Sequence, residues 1–336
     1  MNSNIVYLIV VGILSWIYFK TRSLKSNEDE YFVLNKSEGV LGLTLSFYAS
    51  GMGLWILTSP AEVAWYGLGY DIYGYALSAA TPFVLIYIFG PKIAELLPNG
   101  VTLAQFVETK YGTIAQKIVS SVAVIYMGAF LVAEFASIGF VFGSISSVRG
   151  VLISLLIAVT TLAYLFKHGF KASYFTDKLQ SYGIVFLLVI VFTIWFSQNS
   201  PSQIITFANA VGLNSFETFS LKSALAVIIA VTAAEVFSMG YWQRTFSAEN
   251  SEVIKKASIF SGLGAFCQAR ITFLTLCFWH LLNGACAFFN AKMVVQINRS
   301  TRMRGRHDIQ QIHDNLLHET LYPARADTSC RHCACG

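Results

Sequence analysis

The stretch "ASGMGLWILTSP", residues 49–60, lies inside a run from about 40 to 66 that is apolar enough to cross a bilayer. Gly51 and Gly53 flank Met52 at its centre, and Ser59 and Pro60 close it. A spanning helix has to satisfy its own backbone hydrogen bonds, and irregular backbone survives at that depth only where it lines a cavity. Central glycines therefore admit two readings. One is close packing against a neighbouring helix. The other is an unwound turn whose carbonyls and half-helix ends face an ion or a solute. This stretch alone leaves both open.

The surroundings place it in a membrane. Of the 336 residues 55% are hydrophobic and 12% charged, and the mean hydropathy is +0.58, outside the range of ordinary soluble domains. Runs of spanning length fall near 4–19, 40–66, 73–97, 117–143, 150–166, 181–197, 223–241 and 257–288. The first lacks a basic region ahead of it and a small-residue cleavage pattern behind it, so it reads as a retained helix rather than a signal peptide. With the N-terminus outside, Lys20, Arg22, Lys25, Lys36, Lys92, Lys110, Lys117, Lys167, Lys171, Lys178, Arg244, Lys255 and Lys256 all fall inside, against Arg149 and Lys222 outside. The net charge of +5 is thus a topology signal, and it calls for a lipid bilayer as partner and for no nucleic acid. No HExxH, GxSxG or phosphate-loop pattern is present, so an enzyme is not expected.

A second interrupted span turns the reading of the first. "VTAAEVFSMGYWQRTFSAEN", residues 231–250, again sets a glycine, Gly240, among small and polar residues near the middle or inner end of a span. It comes five helices after the first, the spacing expected of two related five-helix halves that each open on a broken helix. Interruptions at corresponding places point to a central binding site.

Composition shifts near residue 266. All six cysteines, from Cys267 to Cys335, and five of six histidines lie beyond it. Cys330, Cys333 and Cys335 with His332 lack the paired spacing of a zinc site, and the run Arg299–Arg306 reads as a solvated tail before it reads as a lipid or nucleic-acid patch. Residues 267–336 are expected to be a divergent tail, with a shifted reading frame as the favoured explanation.

The interrupted spans and three further stretches resemble the sodium:solute symporter family. "ASGMGLWIL" is similar to its first broken helix. "VTLAQFVETKYG" (101–112) resembles its cytoplasmic segment after the second core helix. "GFKASYFTDKLQ" (169–180) resembles its Thr-Asp-x-x-Gln approach to the fifth, and "YWQRTFSAEN" (241–250) the Gln-Arg after the sixth. The resemblance covers about 30–265, and "YWQR" is nearest the urea-transporter branch. It implies an all-α polytopic membrane protein with a partial LeuT-type core, a five-plus-five inverted repeat preceded by one leader helix. The organisation expected is a leader helix and linker (1–37), a first five-helix repeat (38–197), an extracellular loop (198–220), the start of the second repeat (221–266) and the tail (267–336). Core helices eight to ten have no counterpart.

By the same resemblance, the family's second sodium site falls on the backbone carbonyls of Ala49 and Met52. A hard cation takes oxygen ligands that an unwound turn exposes. Ser50 could add an oxygen or could simply pack. Asp177 is placed near the inner sodium exit, with a helix N-cap as its plain alternative. Some members carry an aspartate where Gly51 stands, and its absence leaves proton coupling open beside sodium.

Intramembrane acids are costly and usually functional. Glu134, mid-span, and Glu235, one turn before Ser238 and Gly240, are therefore candidates for solute or proton binding, while Glu62 can face water. Gly51, Gly53, Ser238 and the aromatic residues Trp55, Tyr241 and Trp242 complete the expected cavity. The expected function is secondary active transport of a small polar solute coupled to a cation, by alternating access, with no cofactor beyond the coupling ion. The alternative is a non-transporting relative or pseudogene product, and after that a channel or receptor.

Overall fold

The computed structural model describes residues 3–24, 30–34, 36–54, 59, 63, 69–145, 148–198, 202 and 216–282. Trp55, Pro60, Glu62 and the tail from 283 onward lie outside the described residues. The chain divides into two units, 1–278 and 279–336, and the first holds everything below but the end of the last helix.

Helices carry the whole described fold: α1 Ser3–Arg22, α2 Val40–Gly51, α3 Gly69–Leu96, α4 Leu103–Ile145, α5 Gly150–Gln198, α6 Thr218–Glu235, α7 Met239–Phe246 and α8 Ser251–Leu282. Among the described residues there is no β-strand, only one isolated parallel bridge between Glu38 and Ala248. Five helices, α1, α3, α4, α5 and α6, are long and apolar enough to cross a membrane. The protein is an integral, multi-pass membrane protein.

Two of these runs are each two helices joined at a glycine. In α4 the break is Gly112 (φ 84°), and in α5 it is Gly169 (φ 56°, ψ −141°). Both angles lie where a Cβ is disfavoured, so glycine is what the turn needs. The Gly169 break falls between the expected spans 150–166 and 181–197, and Gly112 ends the motif that precedes the 117–143 span.

The core gathers on the two short helices. Leu43, Phe47 and Tyr48 of α2 and Met52 just beyond it pack with Phe83 and Ile86 of α3, with Tyr241, Trp242 and Phe246 of α7, and with Ile254 and Ala257 of α8. Phe47, Phe83 and Tyr241 meet edge to face, with centroids 5.4–6.2 Å apart. α3 and α6 approach closely because Gly74 faces the backbone of Ala224, and the hydroxyls of Thr81 and Thr232 bond across at 2.5 Å. α1 lies on α5 through Val6, Val10, Val148 and Ile153. Residues such as Val124, Ile125 and Val132 of α4 are exposed, as a lipid-facing surface requires.

Candidate functional site

α2 stops where the glycines predicted a break. Its last residue is Gly51, and Met52 leaves the helix in extended geometry (φ −118°, ψ 94°), donating its N–H to the Ala49 carbonyl at 3.1 Å. Three other helices hold this end. Tyr241 of α7 lies against Gly51, where a Cβ would stand 2.6 Å from the phenolic oxygen. Glu134 of α4 fills the space a Gly53 side chain would need, and its Oε1 accepts the Leu54 N–H at 2.6 Å. Gln180 of α5 donates to the Met52 carbonyl at 3.5 Å. Both glycines are thus explained by what occupies their Cβ positions.

The second interruption lies two to four residues ahead of Gly240, at Val236–Ser238, within the interrupted stretch 231–250, and Gly240 itself sits inside α7. The physical reason is local: Ser238 has extended geometry (φ −72°, ψ 91°) and starts the new helix, while the Trp242 indole N–H donates to the Val236 carbonyl at 2.8 Å. Phe237 and Ser238 donate back to Ala234 and Glu235. Glu235 closes α6, and its Oε1 accepts the Tyr126 hydroxyl of α4 at 2.8 Å.

Asp177 does not cap a helix; it lies within α5, eight residues beyond the Gly169 break, and is buried. Its Oδ2 accepts from Arg244 Nη2 at 2.5 Å, Arg244 Nε at 3.1 Å and the Ser46 hydroxyl at 2.6 Å. Arg244 also donates to the Gly240 carbonyl at 2.7 Å and lies over the Phe170 ring. With side chains only 7% and 11% exposed, this pair ties α2, α5 and α7 together. Removing one member strands a buried charge, which costs about 3–5 kcal/mol. Ser50 turns its hydroxyl onto the Ser46 carbonyl at 2.6 Å, one turn back along α2.

The structure therefore brings Ala49, Gly51, Met52, Gly53, Glu134 and Tyr241 together at the first break, and Glu235, Ser238 and Trp242 at the second. Sequence reasoning passed over Arg244, Ser46, Gln180 and Tyr126. Arg244 and Gln180 stood in quoted motifs, which was the available signal. Ser46 and Tyr126 carried none, because their roles depend on which helices meet.

Comparisons with known proteins agree on the fold. A solved Na+-coupled sialic acid symporter, in a substrate-bound outward-open state, superposes with a TM-score of 0.69, covering 83% of this chain and 61% of that one at 14% identity. The chain has a LeuT-type transporter fold. The chain spans about half the length of the curated relative it matches. That relative is a spermidine transporter of Candida albicans, 26% identical over 258 residues, which is 75% of this chain and 48% of the relative. No family model matches the chain.

Proposed function

We propose that the chain carries the ion and solute site of a cation-coupled secondary transporter, and that it moves a small polar solute bearing ammonium groups by alternating access. The observation that supports this best is that both helix breaks are met by carboxylates on or beside one helix. Glu134 belongs to α4, and Glu235 is held by Tyr126 of α4. Tyr126 and Glu134 are eight residues apart, about 12 Å along a helix. A linear polyamine presents ammonium groups on a comparable scale, and charge-assisted hydrogen bonds to carboxylates are the strong kind. The spermidine-transporting relative favours the same solute class.

The coupling cation, sodium or a proton, is assigned to the first break. There the Ala49 carbonyl accepts the Met52 N–H at 3.1 Å, and the Met52 carbonyl is more weakly engaged, by a 3.5 Å contact from Gln180. Gly51 and Gly53 let the chain unwind, and Tyr241 stacks the two breaks together. The Asp177–Arg244–Ser46 cluster keeps the basic end of the bundle shut, the end that the Lys/Arg bias places inside. Alternating access then needs this pair to separate once the site is filled.

Uptake of radiolabelled spermidine and radiolabelled urea into vesicles containing the 336-residue chain tests the proposal, with sodium, potassium or a proton gradient imposed. Saturable spermidine uptake that depends on one cation supports it. Urea uptake without spermidine uptake removes the ammonium reading, and no cation-dependent uptake of either removes transport by this chain.

A further inference from the structure

Residues 30–39 run from the end of α1 toward α2, and their described part does more than connect. The Tyr31 carbonyl accepts the Phe170 N–H at 2.8 Å and lies where a Gly169 side chain would stand. Leu34 N–H donates to the Ser247 hydroxyl at 3.1 Å. Glu38 N–H donates to the Ser247 carbonyl, and Glu249 N–H donates to the Glu38 carbonyl at 3.1 Å, which makes the parallel bridge beside Ala248. Two ion pairs add to these: Glu30 with Lys171 at 2.5 Å and Glu38 with Lys178 at 3.3 Å. The Leu34 side chain is buried with Phe170 and Tyr174.

Every one of these contacts reaches α5 on one side or the α7–α8 turn on the other. These are the same two elements that the Asp177–Arg244 pair joins. The registers interlock as well: Lys178 follows Asp177, and Ser247 N–H donates to the Arg244 carbonyl at 3.1 Å.

We infer that residues 30–34 and 36–39 form a detachable strap that holds α5 against the α7–α8 turn at the basic end of the bundle, and that its release permits this end to open. The inference rests on the alternating-access reading above, but its test does not need transport. The chemistry suits a reversible fastening. The two ion pairs are partly exposed, with the lysine side chains 31% and 35% and the glutamates 17% accessible, so water can replace them, whereas the Leu34–Ser247 hydrogen bond beneath them is buried and parts only when the strap lifts. Leu34 packs on Phe170, whose ring the Arg244 guanidinium lies over, so the strap touches the shell of the buried pair. The only non-glycine residue with positive φ among the described residues, Lys36 at 46°, lies in the strap, where its N–H closes a tight turn onto the Leu34 carbonyl at 2.8 Å.

Amide hydrogen exchange on the full chain in nanodiscs tests this. In the variant E30Q/E38Q/S247A, exchange over 240–248 and 170–178 should rise about tenfold, while 69–96 and 218–235 keep the wild-type rate. The cross-linked variant L34C/S247C should lower exchange over 240–248 below wild type when oxidised and return to it when reduced. Unchanged exchange in the triple variant, a rise shared by all helices, or a cross-link without protection each overturns the strap. If these exchange results hold while no cation-dependent uptake occurs, the transport proposal fails and the strap stands.

Discussion

The two helix breaks solve the same problem in opposite ways. At the Val236–Ser238 break the freed backbone is satisfied within the segment, by Trp242 of the next helix and by turn bonds to Ala234 and Glu235. At the Met52–Leu54 break the partners come from afar: Glu134 is 80 residues from Leu54, and Gln180 is 128 from Met52. A self-satisfied break keeps its shape whatever its neighbours do. A break held by three other helices changes when any of them moves, which makes it the place where an ion can be exchanged for protein contacts. On the proposed function, the first break would serve coupling and the second a fixed frame.

The largest effect should come from the group that links the two. Asp177→Leu leaves Arg244 buried without its anion and takes away the acceptor of the Ser46 hydroxyl, so thermal unfolding in detergent should show a loss of about 3–5 kcal/mol. A loss below about 1 kcal/mol, the level of an exposed pair, would show that water already reaches the cluster.

Next comes the crowded side of the first break. Gly53→Leu has to displace the Glu134 carboxylate, and overpacking of this kind costs about 1–3 kcal/mol. The same variant should lose cation-dependent solute binding, whereas an equally destabilised variant at Gly74 should retain it. Loss in both would erase the distinction between coupling and packing.

Smaller changes sharpen the contrast. Trp242→Phe removes the donor to the Val236 carbonyl and should cost about 1 kcal/mol, with the cation dependence of binding unmoved. Gln180→Leu should do the reverse, shifting the cation concentration for half-maximal binding while unfolding stays within about 0.5 kcal/mol of wild type. Should Trp242→Phe move the cation curve and Gln180→Leu leave it, the assignment of the breaks is reversed. Tyr126→Phe should cost about 0.5–1.5 kcal/mol, since Glu235 loses one hydrogen bond.

Much of this architecture was legible in the amino-acid order because bilayer physics leaves few options. Apolar runs of fixed length gave the spans, and glycines inside an apolar run marked the first break to within a residue, at Gly51 and Gly53. The second break fell within the stretch 231–250, but its exact place was not legible, because the turn at Val236–Ser238 is made by ordinary residues and an indole hydrogen bond from Trp242. The motifs held Asp177 and Arg244 separately. Their pairing was not legible, because two residues 67 positions apart meet only through the packing of α5 and α7. The same holds for Glu134, an intramembrane acid by sequence whose partner, the Leu54 N–H, depends on where α4 crosses α2.

The central claim is that the charge at the first break receives the cationic solute. Binding of radiolabelled spermidine to the purified chain, wild type against Glu134→Gln, tests it most directly, because glutamine keeps an oxygen for the Leu54 N–H and removes only the charge. The account predicts that affinity falls at least tenfold, about 1.4 kcal/mol, with unfolding unchanged. Equal affinity in the two proteins would contradict it.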